Sequence, residues 1–61
     1  MSLYFIHAEV LSGGVSRTKM CGTVRAETGE AAFSWFMSTE TTMRYIEIGL
    51  DVIIDKLEKI E

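Results

Sequence analysis

Alternating apolar and polar positions over the first 37 residues predict β-strands. Glycines at positions 13, 14 and 29 divide this stretch into three segments, at about residues 3–12, 16–27 and 30–37. Each segment is rich in β-branched, aromatic or threonine residues, and strands joined by hairpins have this pattern. We therefore predict three consecutive strands.

The register of the first hairpin follows from the need to collect apolar residues on one face. We expect Gly13-Gly14-Val15 to form a three-residue loop, a common hairpin type. Glu9 then lies opposite Lys19, a pair of complementary charges that favours this register. A two-residue loop would place Arg17 opposite Val10 and bury a charge, so we reject it. The expected apolar face pairs Val10 with Thr18, Ala8 with Met20, Ile6 with Gly22 and Tyr4 with Val24.

The second predicted hairpin turns at Thr28-Gly29 and selects the same buried face of the middle strand. Gly22 then lies opposite Trp35, whose ring would fill the space above the bare glycine backbone. On the opposite face Cys21 lies between His7 and Phe36. Because two turns agree on the buried face, we predict an antiparallel meander in the order 1-2-3.

The hydrophobic period changes after residue 38, where Ser38 or Thr39 can cap a helix and Glu40 suits its first turn. A spacing of four and three residues then marks one helical stripe, formed by Met43, Ile46, Leu50, Ile53, Leu57 and Ile60. We predict one long helix at about residues 39–60. The expected fold is a single α+β domain over residues 1–61, with a three-stranded antiparallel meander packed on one long C-terminal helix (βββα).

A second apolar flank on this predicted helix indicates a dimer. Tyr45, Ile48 and Val52 lie about 100–160° around the helix from the first stripe, and Gly49 would let another backbone approach. We expect these four residues to form a two-fold interface, which a small domain needs for stability. The alternative is that the sheet twists far enough to cover the flank itself.

Composition limits the function classes. The 61 residues form one domain at most, and Cys21 is the only cysteine, so an intramolecular disulfide is excluded. A free thiol fits a reducing compartment, and with no transmembrane run or signal peptide we expect a cytoplasmic protein that contacts no membrane. His7 and Cys21 are too few to form a zinc site, so we expect no metal and no cofactor.

His7 and Cys21 are also the only candidates for catalysis. A cysteine beside a histidine can become a nucleophile when the histidine accepts the thiol proton. The sequence supplies no evident third group to orient His7 and no oxyanion hole. We therefore expect a protein that is not an enzyme.

The outer face of the sheet is the predicted contact surface. It combines basic, aromatic and histidine side chains, which are Phe5, His7, Arg17, Lys19, Arg25 and Phe36. We expect a protein partner there, and mobile elements or phages use chains of this size to inhibit or modulate host proteins. The alternative is a regulator that binds single-stranded nucleic acid, although the net charge of −3 disfavours it. The acidic side of the predicted helix is the other possible binding surface, and it is formed by Glu40, Glu47, Asp51, Asp55 and Glu58.

Overall fold

The computed structural model describes all 61 residues as three strands and two helices. In chain order these elements are β1 (Ser2–Ser12), β2 (Val15–Ala26), α1 (Gly29–Met37), α2 (Glu40–Glu47) and β3 (Asp51–Lys59). The strands form one antiparallel sheet in the order β2-β1-β3, with the helices against one face. The α+β class and the three-stranded antiparallel sheet are confirmed, whereas the 1-2-3 meander and the single long helix are wrong.

The register of the first hairpin is confirmed along most of its length. Glu9 lies opposite Lys19 and His7 opposite Cys21, and all four predicted pairs of the apolar face are present. The predicted three-residue loop is wrong. The turn has two residues, Gly13 and Gly14, with φ of 58° and 83°. Positive φ at both positions matches the twist of the flanking strands and favours glycine.

A β-bulge reconciles this tight turn with the predicted face assignment. Val10 pairs with Thr18, but the next residue of β1, Leu11, pairs with Ser16. Arg17 is thus the extra residue of the bulge, and it is exposed. The bulge shifts the register by one residue and keeps the arginine out of the core, which removes our objection to a two-residue turn.

The predicted third strand at residues 30–37 is helix α1. Its N-cap is Thr28, whose Oγ1 accepts a hydrogen bond from the Ala31 amide at 3.1 Å. Ala32 and Phe36 lie four residues apart, on one helical face, and both are buried. A short apolar run bounded by glycine is compatible with either period, and here packing of this pair against the sheet selects the helix.

The predicted long helix ends at Glu47 and the chain returns as a strand. Gly49 has φ of +91°, and its amide donates to the Ile46 carbonyl at 3.0 Å. The Leu50 amide donates to the Tyr45 carbonyl at 3.0 Å. This pair of bonds with a left-handed glycine is a Schellman motif, which terminates helices. Residues 51–59 then pair with β1, so β1 is the central strand.

The core lies between β1, β2 and α1. Its buried cluster consists of Tyr4, Ile6, Ala8, Val24, Ala26, Ala32 and Phe36. Thr42 of α2 is the only buried polar residue, and nine of the 61 residues are buried in total. Helices α1 and α2 have nine and eight residues, and neither is long and apolar enough to cross a membrane.

Candidate functional site at the β2 edge

Strand β2 has a free edge along its 12 residues. It pairs with β1 on one side, and no strand pairs with the other side. An edge strand presents unpaired backbone N–H and C=O groups, which can template pairing with another chain. The predicted meander placed this strand in the centre of the sheet, and it is an edge because residues 29–37, its expected second partner, form helix α1.

An open groove of about 530 Å³ lies between this edge and the helices. One wall is the run of six residues from Lys19 to Val24 in β2. The other wall comes from α1, α2 and their connection and is formed by Trp35, Phe36, Thr39, Thr41 and Thr42. Trp35 is 56% exposed, so a large aromatic surface is available to a ligand in the groove.

Gly22 lies in the β2 wall and helps to keep the groove open. It occupies an inward-facing position opposite Ile6, and a Cβ built on it would meet no atom within 4 Å. Its φ is not positive, so other residues can adopt its conformation. The space beside this backbone is therefore empty, and a larger side chain could occupy it without displacing the protein.

The helical wall is held by a hydroxyl network. Thr39 Oγ1 donates to the Phe36 carbonyl at 2.8 Å and lies 3.0 Å from Thr42 Oγ1. Thr42 is fully buried, and the side chain of Phe36 is buried in the core. Because buried polar groups are stabilised only when they have partners, this network fixes the turn between α1 and α2 relative to Trp35.

Basic side chains line the outward side of the same edge. Arg17, Lys19 and Arg25 are all exposed, and β2 contains no acidic residue. None of the three takes part in an ion pair. Lys19 lies opposite Glu9 in the register, but the two side chains do not reach ion-pair distance. None of these three charges is therefore held in an ion pair, although the charge of Lys19 helps to lower the pKa of Asp55.

The outer face of the sheet, away from the helices, contains a His–Asp pair that the sequence did not predict. His7 Nδ1 lies 2.6 Å from Asp55 Oδ1, and this hydrogen bond is the largest cause that lowers the pKa of Asp55. Asp55 is the extra residue of a bulge in β3, since His7 pairs with Lys56 and Ala8 with Ile54. We expected residue 55 on a helix, so no signal linked it to His7.

Asp55 supplies the third group that a Cys–His nucleophile would need, but the arrangement is incomplete. Cys21 is exposed and lies opposite His7 in the register. No hydrogen bond joins its thiol to the His7 ring, whose bond goes to Asp55 instead. No three ligand-type side chains converge on a metal position either. The geometry is that of a hydrogen-bonded His–Asp pair across two strands.

The remaining predicted contact residues divide between the two sides of the sheet. Phe5 and His7 lie half-buried on the outer face. The placement of Phe36 on that face is corrected, because it belongs to α1 and is buried in the core. The outer face therefore has fewer aromatic groups than predicted and also carries acidic groups, which are Glu9, Asp51, Asp55 and Glu58.

The four residues of the predicted dimer interface do not share a helical flank. Tyr45 and Ile48 line a shallow hollow on α2, Gly49 lies in the turn, and Val52 belongs to β3. The predicted acidic side of the helix is also divided, because Asp51, Asp55 and Glu58 are strand residues. These predictions were tied to a continuous helix, which the Schellman motif at Gly49 ends.

Comparison with known proteins adds no family assignment. No protein-family model, curated protein or solved structure matches this chain.

Proposed function

We propose that this chain is a protein-binding module that captures an extended segment of a partner along the free edge of β2. The observation that carries the proposal is a long unpaired edge beside an open groove, with Trp35 exposed in the groove wall. Strand addition of this kind takes its affinity from main-chain hydrogen bonds and its specificity from alternate side chains.

Each element of the site has a role in this mechanism. The backbone of Lys19–Val24 pairs with the incoming strand, whose alternate side chains point into the groove. There they meet Trp35 and the space beside Gly22. A partly exposed tryptophan in a concave site is a typical binding hot spot. The module acts by occupying its partner and not by catalysis.

The charge pattern of the outer face favours a protein over nucleic acid. Lys19, Arg25 and Lys56 face outward, but four acidic residues lie on the same face, which are Glu9, Asp51, Asp55 and Glu58. Phe36, one of the aromatic residues expected to stack on bases, is in the core. Affinity for a phosphate backbone depends on concentrated positive charge, and the acidic residues reduce the net positive charge of this face.

We also propose that the module is a homodimer that associates through the helix layer around Ile48. This side chain is 68% exposed, and it lies beside Tyr45 in a shallow hollow. Ten large apolar side chains are exposed on a chain of 61 residues, which supports association.

Because its only cysteine is free and exposed, we place the module in a reducing compartment, the cytoplasm.

A displayed library of random ten-residue peptides tests the proposed capture of an extended segment. Peptides enriched on the wild type are titrated by fluorescence anisotropy against Gly22→Val, Trp35→Ala and Thr18→Val. The first two variants fill the groove or remove its aromatic wall. Thr18 is an exposed residue of β2 outside the groove, so Thr18→Val is the matched control.

We expect the first two variants to weaken binding by about tenfold or more, since a lost hot-spot contact is worth more than about 1.4 kcal/mol. The control should change affinity by less than about twofold, as a neutral surface substitution does. No enrichment above an empty display scaffold, or enriched peptides that bind Gly22→Val and Trp35→Ala as well as they bind the wild type, would contradict the proposal.

A further inference from the structure

We infer that the segment captured at the β2 edge carries acidic side chains at alternate positions. This inference rests on the proposed function, because it specifies the chemistry of the segment that pairs with β2. The observation behind it is the position of the three exposed basic residues Arg17, Lys19 and Arg25 along the unpaired strand.

The edge strand concentrates positive charge in an acidic protein. Three of the six Lys and Arg residues lie in β2, which has no Asp or Glu, whereas the whole chain has a net charge of −3. The three side chains make no ion pair within the chain. On the β1 side, Arg25 faces Leu3 and Arg17 is unpaired at the bulge, so only Lys19 faces an acid, Glu9.

An added strand would bring its own side chains into register with these groups. Residues directly opposite across a strand pair have Cβ atoms roughly 4.5–5.5 Å apart, and opposite charges at that distance stabilise the pair. Side chains alternate between the two faces of a strand. Acids that face Lys19 and its neighbours must therefore alternate with residues that enter the groove beside Trp35, where apolar side chains fit best.

The same charges disfavour a second copy of β2 as the occupant. In a two-fold antiparallel pair centred on Cys21, Arg17 of one copy would lie opposite Arg25 of the other. Like charges directly opposite are destabilising. Charged residues on an exposed edge also prevent general edge-to-edge aggregation, so the basic side chains both exclude copies of β2 and admit acidic segments.

Two matched peptides test the inference. One has the sequence Thr-Glu-Val-Glu-Val-Glu-Thr and the other has lysine in place of each glutamate, and both carry the same fluorescent label. Each is titrated against the wild type, Lys19→Glu, Arg44→Glu and Gly22→Val at low and at physiological salt. Arg44→Glu makes the same change of charge on α2, away from the groove, and is the matched control.

We expect the glutamate peptide to bind wild type at least about tenfold more tightly than the lysine peptide at low salt, with a smaller ratio as salt screens the charges. Lys19→Glu should reduce or reverse this preference, Arg44→Glu should change it by less than about twofold, and Gly22→Val should weaken both peptides.

The other outcomes separate this inference from the proposed function. Equal affinity for both peptides, with both weakened by Gly22→Val, overturns the acidic preference and leaves strand capture standing. Binding of the glutamate peptide that falls equally in Lys19→Glu and Arg44→Glu, or no binding of either peptide, also overturns the inference. The inference is also overturned if the wild type forms assemblies larger than a dimer as its concentration rises and Lys19→Glu abolishes them. Another copy of the chain would then occupy the β2 edge.

Discussion

His7 Nδ1 lies 2.6 Å from Asp55 Oδ1, and this contact joins the first strand of the chain to the last. The two residues are 48 positions apart in sequence. They meet because the bulge in β3 makes Asp55 an extra residue on the outer face, next to the central strand. The contact therefore reports directly on the pairing of β1 with β3.

The His7–Asp55 bond predicts a dependence of stability on acid. It lowers the pKa of Asp55 below its usual value of 3.8 in the folded protein. The stabilisation is fully present above the unfolded value and is lost as pH falls through the folded pKa. Urea unfolding of the wild type and Asp55→Asn should differ at pH 6, and the difference should shrink below pH 3.8.

Asp51→Asn is the control for this experiment, because Asp51 is also in β3 but forms no side-chain hydrogen bond. Asp51→Asn should lose unfolding free energy at low pH to the same extent as the wild type does. If Asp55→Asn and the wild type lose stability in parallel from pH 6 to pH 2, the β1–β3 contact does not exist in solution.

The different backbone conformations of Gly49 and Gly22 predict different effects of alanine on the free energy of unfolding. Gly49 has φ of +91°, so Gly49→Ala should destabilise the protein by about 1–2 kcal/mol. Gly22→Ala adds a Cβ in open space at an ordinary φ, and it should be neutral or stabilising by about 0.5–1 kcal/mol. Urea denaturation monitored by circular dichroism measures both values.

A continuous helix through residue 49 would reverse the first of these results, because replacing a mid-helix glycine by alanine stabilises a helix by about 1 kcal/mol. Stabilisation by Gly49→Ala would therefore show that the helix continues into residues 51–59 and that β3 does not form.

Two phenylalanine substitutions test which side of the sheet is the core. Phe36→Ala should destabilise the protein by about 3–5 kcal/mol, because Phe36 is buried between α1 and the sheet. A domain of this size has a total stability of only a few kcal/mol, so this variant should be unfolded and should not show the circular dichroism spectrum of the wild type. Phe5→Ala, on the half-buried outer face, should remain folded. The opposite ranking would contradict the position of α1.

The proposed dimer predicts a shift in oligomeric state. Ile48→Asp should convert dimers into monomers, since it places a charge in the apolar contact. Ile60→Asp is the control, because Ile60 is also exposed, at 48%, but lies near the C-terminus. Sedimentation velocity over a range of concentrations measures both variants. A wild type that is monomeric at every concentration would end the dimer proposal.

The first hairpin could be predicted because its determinants are local. Alternation along β1 and β2 and the glycine pair between them define the register from within 26 residues. The helix α1 was predicted as a strand because its apolar run is short and fits both periods. Thr28, three residues before the amide that it caps, was the available helix signal, and we assigned it to a turn instead.

Strand β3 could not be predicted in the same way, because it pairs with β1, which is distant in sequence. The spacing of Ile53 and Leu57 continued the helical stripe that began in α2. Gly49 was interpreted as a gap for a neighbouring helix, although a glycine after a periodic segment is also the usual stop signal. The stop at Gly49 lets residues 51–59 return and pair with β1, which brings Asp55 to His7. The helix at Gly29–Met37 leaves β2 without a second partner, so the groove at its edge was missed for a different reason.

Isotope-edited NMR of the labelled protein with the unlabelled glutamate peptide tests strand capture at the β2 edge most directly. We expect shift changes confined to the groove residues of β2 and the Trp35 indole, with backbone NOEs between the peptide and β2 in a regular strand-pairing pattern. Shift changes centred on Ile48 or on the outer face of β3, without backbone contacts to β2, would contradict it.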